Sequence, residues 1–491
     1  MNEVAVKTLL NTIATLASMA SGLVATVLVA RMLGPEGSGV IGFLLWLSIS
    51  AATLTDRGIP QTMLRYSASM QDARSRQAFE ASSLRRFLPL PVLVFVGALV
   101  VSAIEATGLS SEIRLLLPIG AALFLLYALS AFAIALARGR GDFATPAYHI
   151  LTGSILQIPF VVAGGLLFGA AGALAGMTIR YIPQVVPLLG VFRRLGAVDA
   201  DEATREMRQY ARNMWISDVV SVVAMTRIEY AVLAIFLTSA DLGLFAVAIV
   251  FANLIDQLAL QISSPLLVSF SSPSASRAAK TTLYQRVVNV WALLLLPMAF
   301  GGAAIMHALL TLVFGMEFEE ATTAAAVLLL AAALSGLGII PWTYLAAHGH
   351  AGLLTRVMLG VAAVYLPCLF FAVAIAGLEG AAFARLAAEA AIFLLLFHLA
   401  WRVTRVTIAL SRLAVIVACA LATAAVAATC LAFVGGLGGT LVAVAAGGIT
   451  YVVTLRLCRV FTDDDIRRMV EMTGLRPSHP LSRVAMLIAV R

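Results

Sequence analysis

Long apolar segments make up most of the sequence, and short polar stretches separate them. A membrane-spanning helix needs about 20 mostly apolar residues, and fourteen segments reach roughly this length. They occupy approximately 7–30, 39–64, 87–104, 115–137, 146–168, 172–192, 214–237, 242–270, 287–310, 321–346, 355–376, 380–400, 409–433 and 438–457. The pattern predicts an all-α integral membrane protein with about fourteen transmembrane helices.

The distribution of Lys and Arg predicts the orientation of these helices, because cytoplasmic loops are enriched in both residues. With the N-terminus placed inside, the cytoplasmic segments hold 27 of the 33 Lys and Arg residues, and the outer loops hold two, Arg31 and Arg114. The remaining four lie within spans. We therefore expect a multi-pass protein of the bacterial cytoplasmic (inner) membrane with both termini in the cytoplasm.

Composition supports this class and excludes others. Charged residues make up 12% of the chain, whereas soluble domains carry about 25%. The net charge of +8 comes from arginines scattered between apolar spans, so we expect no nucleic-acid partner. The four cysteines form no metal-binding or disulfide pattern. We expect no metal and no cofactor, and the candidate coupling ions are H⁺ or Na⁺.

Two halves of the chain resemble each other in sequence. Three ordered pairs of segments align at offsets of 204 to 210 residues: 28–48 with 232–253, 135–143 with 345–353, and 168–176 with 376–384. Because each repeat has six helices, an even number, the two repeats have the same orientation in the membrane. This arrangement implies a central cavity between the halves. The predicted divisions are a six-helix half at 1–200, a second at 201–405, two additional helices at 406–458 and a cytoplasmic tail at 459–491.

Charged residues within the predicted spans are the candidates for function, because a charge there costs roughly 2.5–3.5 kcal/mol on insertion scales. They are four arginines, Arg57, Arg180, Arg227 and Arg385, and five acids, Asp56, Asp218, Glu229, Asp256 and Glu389. Their formal sum is about −1, so the sequence alone does not establish a cationic cavity. An arginine can nevertheless bind a phosphate through its forked donors.

The residues expected to bind substrate in the cavity are Arg57, Arg180, Arg227, Asn253, Gln257 and Gln261, and those expected to couple an ion are Asp56, Glu229 and Asp256. The spacing of the amide residues, i, i+4 and i+8, gives one helix a polar face. For Arg180, substrate binding and a side chain that extends towards the membrane surface are equally good interpretations. Arg385 and Glu389, at i and i+4, are expected to form a structural pair.

Four passages, in order along the chain, resemble one transporter family. They are residues 28–60, 217–255, 312–321 and 376–396, and they include the turn Leu-Gly-Pro-Glu-Gly and an Asp-x-Gly late in the second helix. They resemble the polysaccharide transporters, or O-antigen and exopolysaccharide flippases, of the multidrug/oligosaccharidyl-lipid/polysaccharide exporter superfamily. Two positions depart from the family pattern: Arg57 replaces an apolar residue, and Glu229 with Tyr230 replaces an Asp-Arg pair.

The resemblance implies that the chain flips an undecaprenyl-pyrophosphate-linked oligosaccharide across the membrane by alternating access. The implied partners are this substrate, membrane lipid, and the polymerase and glycosyltransferases of the same pathway. Two alternatives remain: a cation-coupled exporter of small amphipathic molecules, as in the drug-extruding branch, or a flippase of the lipid II type. An enzyme is disfavoured because no loop is large enough or carries a catalytic signature.

Overall fold

The computed structural model describes residues 3–67, 70, 72–104, 111–193, 204–224, 228–271 and 276–458. All regular elements in these ranges are helical, which confirms the predicted all-α class. The helices are α1 Glu3–Thr55, α2 Ile59–Tyr66, α3 Ala73–Phe87, α4 Pro89–Ala103, α5 Ser111–Gly139, α6 Ala144–Ile179, α7 Ile182–Val185, α8 Leu189–Phe192, α9 Arg205–Ala224, α10 Glu229–Phe236, α11 Ser239–Ser271, α12 Arg277–Ala304, α13 Met306–Val313, α14 Thr322–Ala347, α15 Ala351–Thr404, α16 Leu410–Phe433 and α17 Gly436–Leu457. The predicted tail at 459–491 lies outside the described residues.

Ten helical segments of the described chain are long and apolar enough to cross a membrane. Three of them, Leu10–Thr55, Ala144–Phe192 and Gly352–Thr404, have 46 to 53 residues, about twice the length that a bilayer needs. Each contains a break in helical geometry, at Gly34, Gly169 and Gly377 respectively. Each break divides a long segment into two spans, so the ten segments account for thirteen of the predicted spans. The remaining one, 214–237, falls on α9 and α10, between which residues 225–227 lie outside the description.

The predicted repeat is visible in the backbone of equivalent turns. Gly169 has φ 57° and ψ −138°, and Gly377, 208 positions later, has φ 55° and ψ −130°. These angles lie in a region that favours glycine. The turn before α6 closes with Asp142 N–H donating to the Ala137 carbonyl, and the turn before α15 closes with His350 N–H donating to the Leu345 carbonyl, both at 3.0 Å.

The chain divides into two compact units, Met1–Gly243 and Leu244–Arg491. In the first unit, α1 packs along α5 and α6, and apolar side chains such as Ile41, Leu123 and Val161 form a buried core. In the second unit, α14 packs against both α12 and α15. The boundary predicted between residues 200 and 201 separates the two sequence repeats rather than these compact units, and it stays a prediction.

The two helices outside the predicted repeat, α16 and α17, pack against α12 within the second unit. Ala427 and Ala443 form a small apolar cluster with Ile305, and the Tyr451 hydroxyl donates to the Leu293 carbonyl at 2.8 Å. A hydroxyl inside an apolar helix bundle needs such an acceptor, so Tyr451 ties α17 to the backbone of α12.

A buried ion pair holds α3 against the end of α5 in the first unit. The Glu80 side chain is 1% exposed, and both of its oxygens accept from the guanidinium of Arg140, with Nε at 2.6 Å from Oε1. These hydrogen bonds raise the pKa of Arg140 above its usual value, so its guanidinium stays charged. Glu80 lies between Phe79 and Phe87 in sequence, and both of these rings are fully buried. The ion pair and the packing of the rings therefore hold α3 in place together.

We expect Arg140→Gln to destabilise the protein more than Glu80→Gln. Loss of Arg140 leaves a carboxylate in a site that is 1% exposed, whereas Arg140 is 37% exposed and remains hydrated without its partner. The free energies of unfolding of the two variants should differ by an amount on the order of 2 kcal/mol. Thermal unfolding of the detergent-solubilised protein measures this difference. The double variant should recover part of the loss. Equal effects of the two single variants would show that the buried carboxylate does not depend on Arg140.

Candidate functional site

A left-handed turn interrupts the second span between α1 and α2. Arg57 has φ 53° and Gly58 has φ 68°, values that are uncommon for a residue with a side chain. The Asp56 carboxylate accepts the Gly58 N–H at 2.8 Å, and the Ile59 N–H donates to the Asp56 carbonyl at 3.1 Å. The turn directs Asp56 and Arg57 into two different cavities, as expected for adjacent residues.

Helix α9 packs across this turn. A Cβ atom on Gly58 would lie 2.1 Å from the Ala211 carbonyl oxygen, so only glycine permits the observed approach. The Trp215 indole N–H donates to the Leu54 carbonyl at 3.0 Å. Leu54 lies in the last turn of α1, where carbonyls lack helical partners. Trp215 therefore fixes α9 to the end of α1.

The larger cavity, with a volume of about 930 Å³, lies between α2, α3, α4 and α9 within the first unit. We call it the arginine cavity, and it is lined by Arg57, Ile59, Thr62, Ser82, Ser83, Arg85, Arg86, Pro89, Leu90, Met207, Arg208, Ala211, Arg212 and Trp215. Five of these residues are arginines and none is acidic. The cavity therefore presents concentrated positive charge together with hydroxyl groups and one aromatic ring.

Local structure explains how the arginines come together. Asp72 caps the start of α3 by accepting the Ser75 N–H at 2.8 Å, and this hydrogen bond lowers the pKa of Asp72 below its usual value. Arg85 and Arg86 lie in the last turn of the same helix, where the helix dipole favours cations. The Arg57 guanidinium donates to the Arg86 carbonyl, which joins the turn to the end of α3.

Such a cavity suits an oxyanion. Guanidinium groups present forked N–H donors that match phosphate oxygens, and charge-assisted bonds of this kind are roughly twice as strong as neutral ones. Five like charges repel each other in the absence of an anion. A ligand with several negative oxygens would relieve that repulsion, whereas a cation would increase it.

The smaller cavity, about 300 Å³, lies on the other side of the turn and is lined by Ala52, Thr53, Asp56, Pro60, Gln61, Tyr127, Ala128, Ala131, Asp218 and Val222. We call it the acid pocket. Gln61 donates its amide N–H to Asp218 Oδ2 at 2.8 Å. Asp56 and Asp218 are the two carboxylates in the lining of this pocket. Within the described ranges, no group of three or more His, Cys, Asp or Glu residues is placed to hold a metal ion.

The other predicted residues of the first unit lie elsewhere. Arg180 donates to Ser18 Oγ at 2.5 Å, and its guanidinium carbon lies 5.4 Å from the centre of the Tyr181 ring. It is absent from the lining of both cavities. Glu229 is 1% exposed at the start of α10. Arg227 lies outside the described residues.

In the second unit, the predicted polar face lies on α11. Asn253, Asp256 and Gln257 are half-buried and Gln261 is exposed, and their roles in binding or coupling stay predictions. The expected pair on α15 forms, with Arg385 at 3.0 Å from Glu389.

Sequence reasoning missed four of the five cavity arginines. In the sequence, Arg85, Arg86, Arg208 and Arg212 count only among the cytoplasmic charges that indicate topology. Two signals could have found them: Arg208 and Arg212 share a helix face at i and i+4, and Arg85 and Arg86 end the helix that precedes Pro89.

Comparisons with known proteins agree with this architecture. The profile of a family described as "Polysaccharide biosynthesis protein" matches residues 28–323. No curated protein matches the sequence. The lipid II flippase MurJ, in an inward closed conformation, aligns with a TM-score of 0.75 and 14% identity over 91% of this chain and 98% of its own.

Two further solved structures share the fold. An inward-facing multidrug resistance transporter of the MATE family, from the MOP superfamily, aligns with a TM-score of 0.63 and 15% identity over 79% of this chain and 94% of its own. A MOP superfamily transporter from Pyrococcus furiosus, described as having a binding pocket of reverse polarity, aligns with a TM-score of 0.52 and 15% identity. The alignment covers 81% of this chain and 95% of that transporter. These proteins are transporters and a flippase rather than enzymes, in agreement with the sequence expectation.

We expect Gly58→Ala to reduce thermal stability more than Gly141→Ala. Both glycines have positive φ, 68° and 77°, so a side chain strains both turns. Only at Gly58 does the new Cβ meet a backbone atom, the Ala211 carbonyl, because Gly141 has no atom within 4 Å of that position. The excess loss should be about 1–3 kcal/mol, as for overpacked sites. Equal unfolding temperatures for the two variants would contradict the close packing of α9 on the turn.

Proposed function

Because the chain belongs to the family of polysaccharide biosynthesis proteins, matched over residues 28–323, we propose that it flips an undecaprenyl-pyrophosphate-linked oligosaccharide across the bacterial cytoplasmic membrane by alternating access. The chain is a multi-pass membrane protein with the fold of flippases and transporters. The observation that carries the proposal is the arginine cavity, with five guanidinium groups and no acid in its lining.

The chemistry of the cavity suits the polar part of such a substrate. A pyrophosphate carries several negative oxygens within a few ångströms, and clustered arginines can bind them in a forked manner. The hydroxyl oxygens of Thr62, Ser82 and Ser83 can accept hydrogen bonds from a sugar, and Trp215 adds a rigid aromatic ring. The volume of about 930 Å³ lies in the range of sites that bury sizeable ligands.

The position of the cavity suits loading from the inner leaflet. Four of its five arginines, Arg85, Arg86, Arg208 and Arg212, come from segments that the positive-inside rule assigns to the cytoplasmic side. The polyprenyl tail would stay in the bilayer while the pyrophosphate and sugar occupy the cavity. Glycosyltransferases would complete the substrate before this step, and a polymerase would use it afterwards.

The acid pocket favours ion coupling, a feature that this proposal shares with the alternative of a cation-coupled exporter of small amphipathic molecules. Two carboxylates that share a small pocket repel each other unless one binds a proton or a cation. Asp56 is adjacent to Arg57, so a change at the acid pocket can reach the arginine cavity through a single turn. We propose H⁺ or Na⁺ as the coupling ion at Asp56 with Asp218, and Glu229 and Asp256 remain candidates for the same role.

We expect Arg57→Asn and Arg212→Gln each to reduce surface glycan display and flipping in proteoliposomes by about tenfold or more, the effect of losing one charge-assisted contact. Asn is chosen at position 57 because it tolerates positive φ. Arg74→Gln is the matched control, because Arg74 is an exposed arginine of α3 outside the cavity lining. Normal transport by both cavity variants at normal protein levels would refute the cavity as the substrate site.

We expect Asp56→Asn to change the pH or sodium dependence of transport while preserving the turn, because an Asn side-chain oxygen can still accept the Gly58 N–H. Asp218→Asn should produce the same change, and the double variant should add nothing further. Transport in proteoliposomes with imposed proton or sodium gradients measures this. Unchanged ion dependence in both single variants would exclude the acid pocket, and a change confined to Asp256→Asn would move the coupling site to α11.

A further inference from the structure

A third cavity lies in the second unit, between the two parts of α15 that precede and follow the break at Gly377. We call it the α15 groove; its volume is about 400 Å³. Its lining is Arg356, Val357, Gly360, Val361, Val364, Tyr365 and Cys368 from the first part, and Ala384, Ala387, Ala388, Ala391 and Leu395 from the second. Eleven of these twelve residues are uncharged, and Arg356 alone carries a charge.

The dimensions of the groove match one leaflet of a bilayer. Residues 356 to 368 rise by about 18 Å along a helix, and half of the hydrocarbon core is about 15 Å. Glycine and alanines on the facing surfaces leave the depth of the groove unfilled, while Val364 and Leu395 at its edges are 65% and 41% exposed. The apolar lining and the exposure of these two side chains suit a hydrocarbon chain as the occupant.

The charge at one end specifies the head group. Arg356 is exposed, and its Nε donates to the Gly352 carbonyl at 3.2 Å, which holds the guanidinium at the end of the groove. A guanidinium binds phosphate oxygens well. The positive-inside rule places Arg356 at the cytoplasmic leaflet, whose surface is negatively charged because it contains anionic lipids.

We propose that the α15 groove binds one anionic phospholipid of the cytoplasmic leaflet, with an acyl chain between the two parts of α15 and the phosphate at Arg356. This site is separate from the proposed transport function, because none of its residues lines the arginine cavity or the acid pocket. An acyl chain of ordinary length fills a groove that spans one leaflet, whereas a polyprenyl chain is several times too long for it.

Lipid retention by the purified full-length protein tests the assignment. Native mass spectrometry in detergent should show one retained phosphatidylglycerol, with weaker retention of phosphatidylcholine. Gly360→Leu fills the groove, since no atom lies within 4 Å of the position of its Cβ. Arg356→Gln removes the charge. Each change should weaken phosphatidylglycerol binding about tenfold.

The matched control is Gly448→Leu, the same change at an exposed and equally open position of α17, which should bind lipid as the unaltered protein does. Undiminished phosphatidylglycerol retention in both Gly360→Leu and Arg356→Gln would overturn the proposal. Displacement of phosphatidylglycerol by an equal concentration of undecaprenyl phosphate would also overturn it, because the groove would then belong to the polyprenyl chain.

The native cysteines give a second readout that needs no groove variant. Cys368 lies at the deep end of the groove, and Cys458 is also exposed but lies outside it. Phosphatidylglycerol should slow the reaction of Cys368 with a lipid-soluble maleimide at least several-fold and leave Cys458 unaffected. Equal rates with and without the lipid at Cys368, or equal protection of both cysteines, would contradict occupancy of the groove.

Discussion

A left-handed backbone at Arg57 and Gly58 interrupts the second span, and the arginine cavity and the acid pocket both adjoin this interruption. Asp56 lines the acid pocket, and the next residue, Arg57, lines the arginine cavity. Gly58 is required twice, once for its positive φ and once for the approach of the Ala211 carbonyl. Without the turn, α9 could not pack against the end of α1, and three of the five cavity arginines would lose their common site.

Two of the five positive charges in this cavity come from the end of a helix rather than from its centre. A guanidinium at mid-membrane is expensive, but Arg85 and Arg86 lie at the end of α3, where the helix dipole stabilises them. The buried pair of Glu80 with Arg140 fixes that helix in place. The cavity therefore gathers five guanidinium groups with no acid in its lining. The formal sum of about −1 over the intramembrane charges does not describe this cavity, because the fold places those residues at different sites.

The all-α class, most of the helix boundaries and the repeat could be predicted from the sequence, because hydrophobic length and glycine positions determine them locally. The same is true of the pair Arg385 with Glu389, which depends only on i, i+4 spacing along α15. The composition of the cavity could not be predicted. Arg208 joins Arg57 only because α9 packs on the turn, and Arg180 is held by Ser18, 162 positions away. Partners that distant in sequence leave no periodic signal.

We propose that the arginine cavity recognises the diphosphate group of a lipid-linked sugar. The most direct measurement is the affinity of the purified full-length protein for undecaprenyl diphosphate compared with undecaprenyl monophosphate at a fixed salt concentration. We expect the diphosphate to bind about tenfold or more tightly than the monophosphate. Inorganic pyrophosphate should compete for the site, and affinity should fall steeply as salt screens the arginines. Equal affinity for the two lipids, with no competition by pyrophosphate, would contradict it.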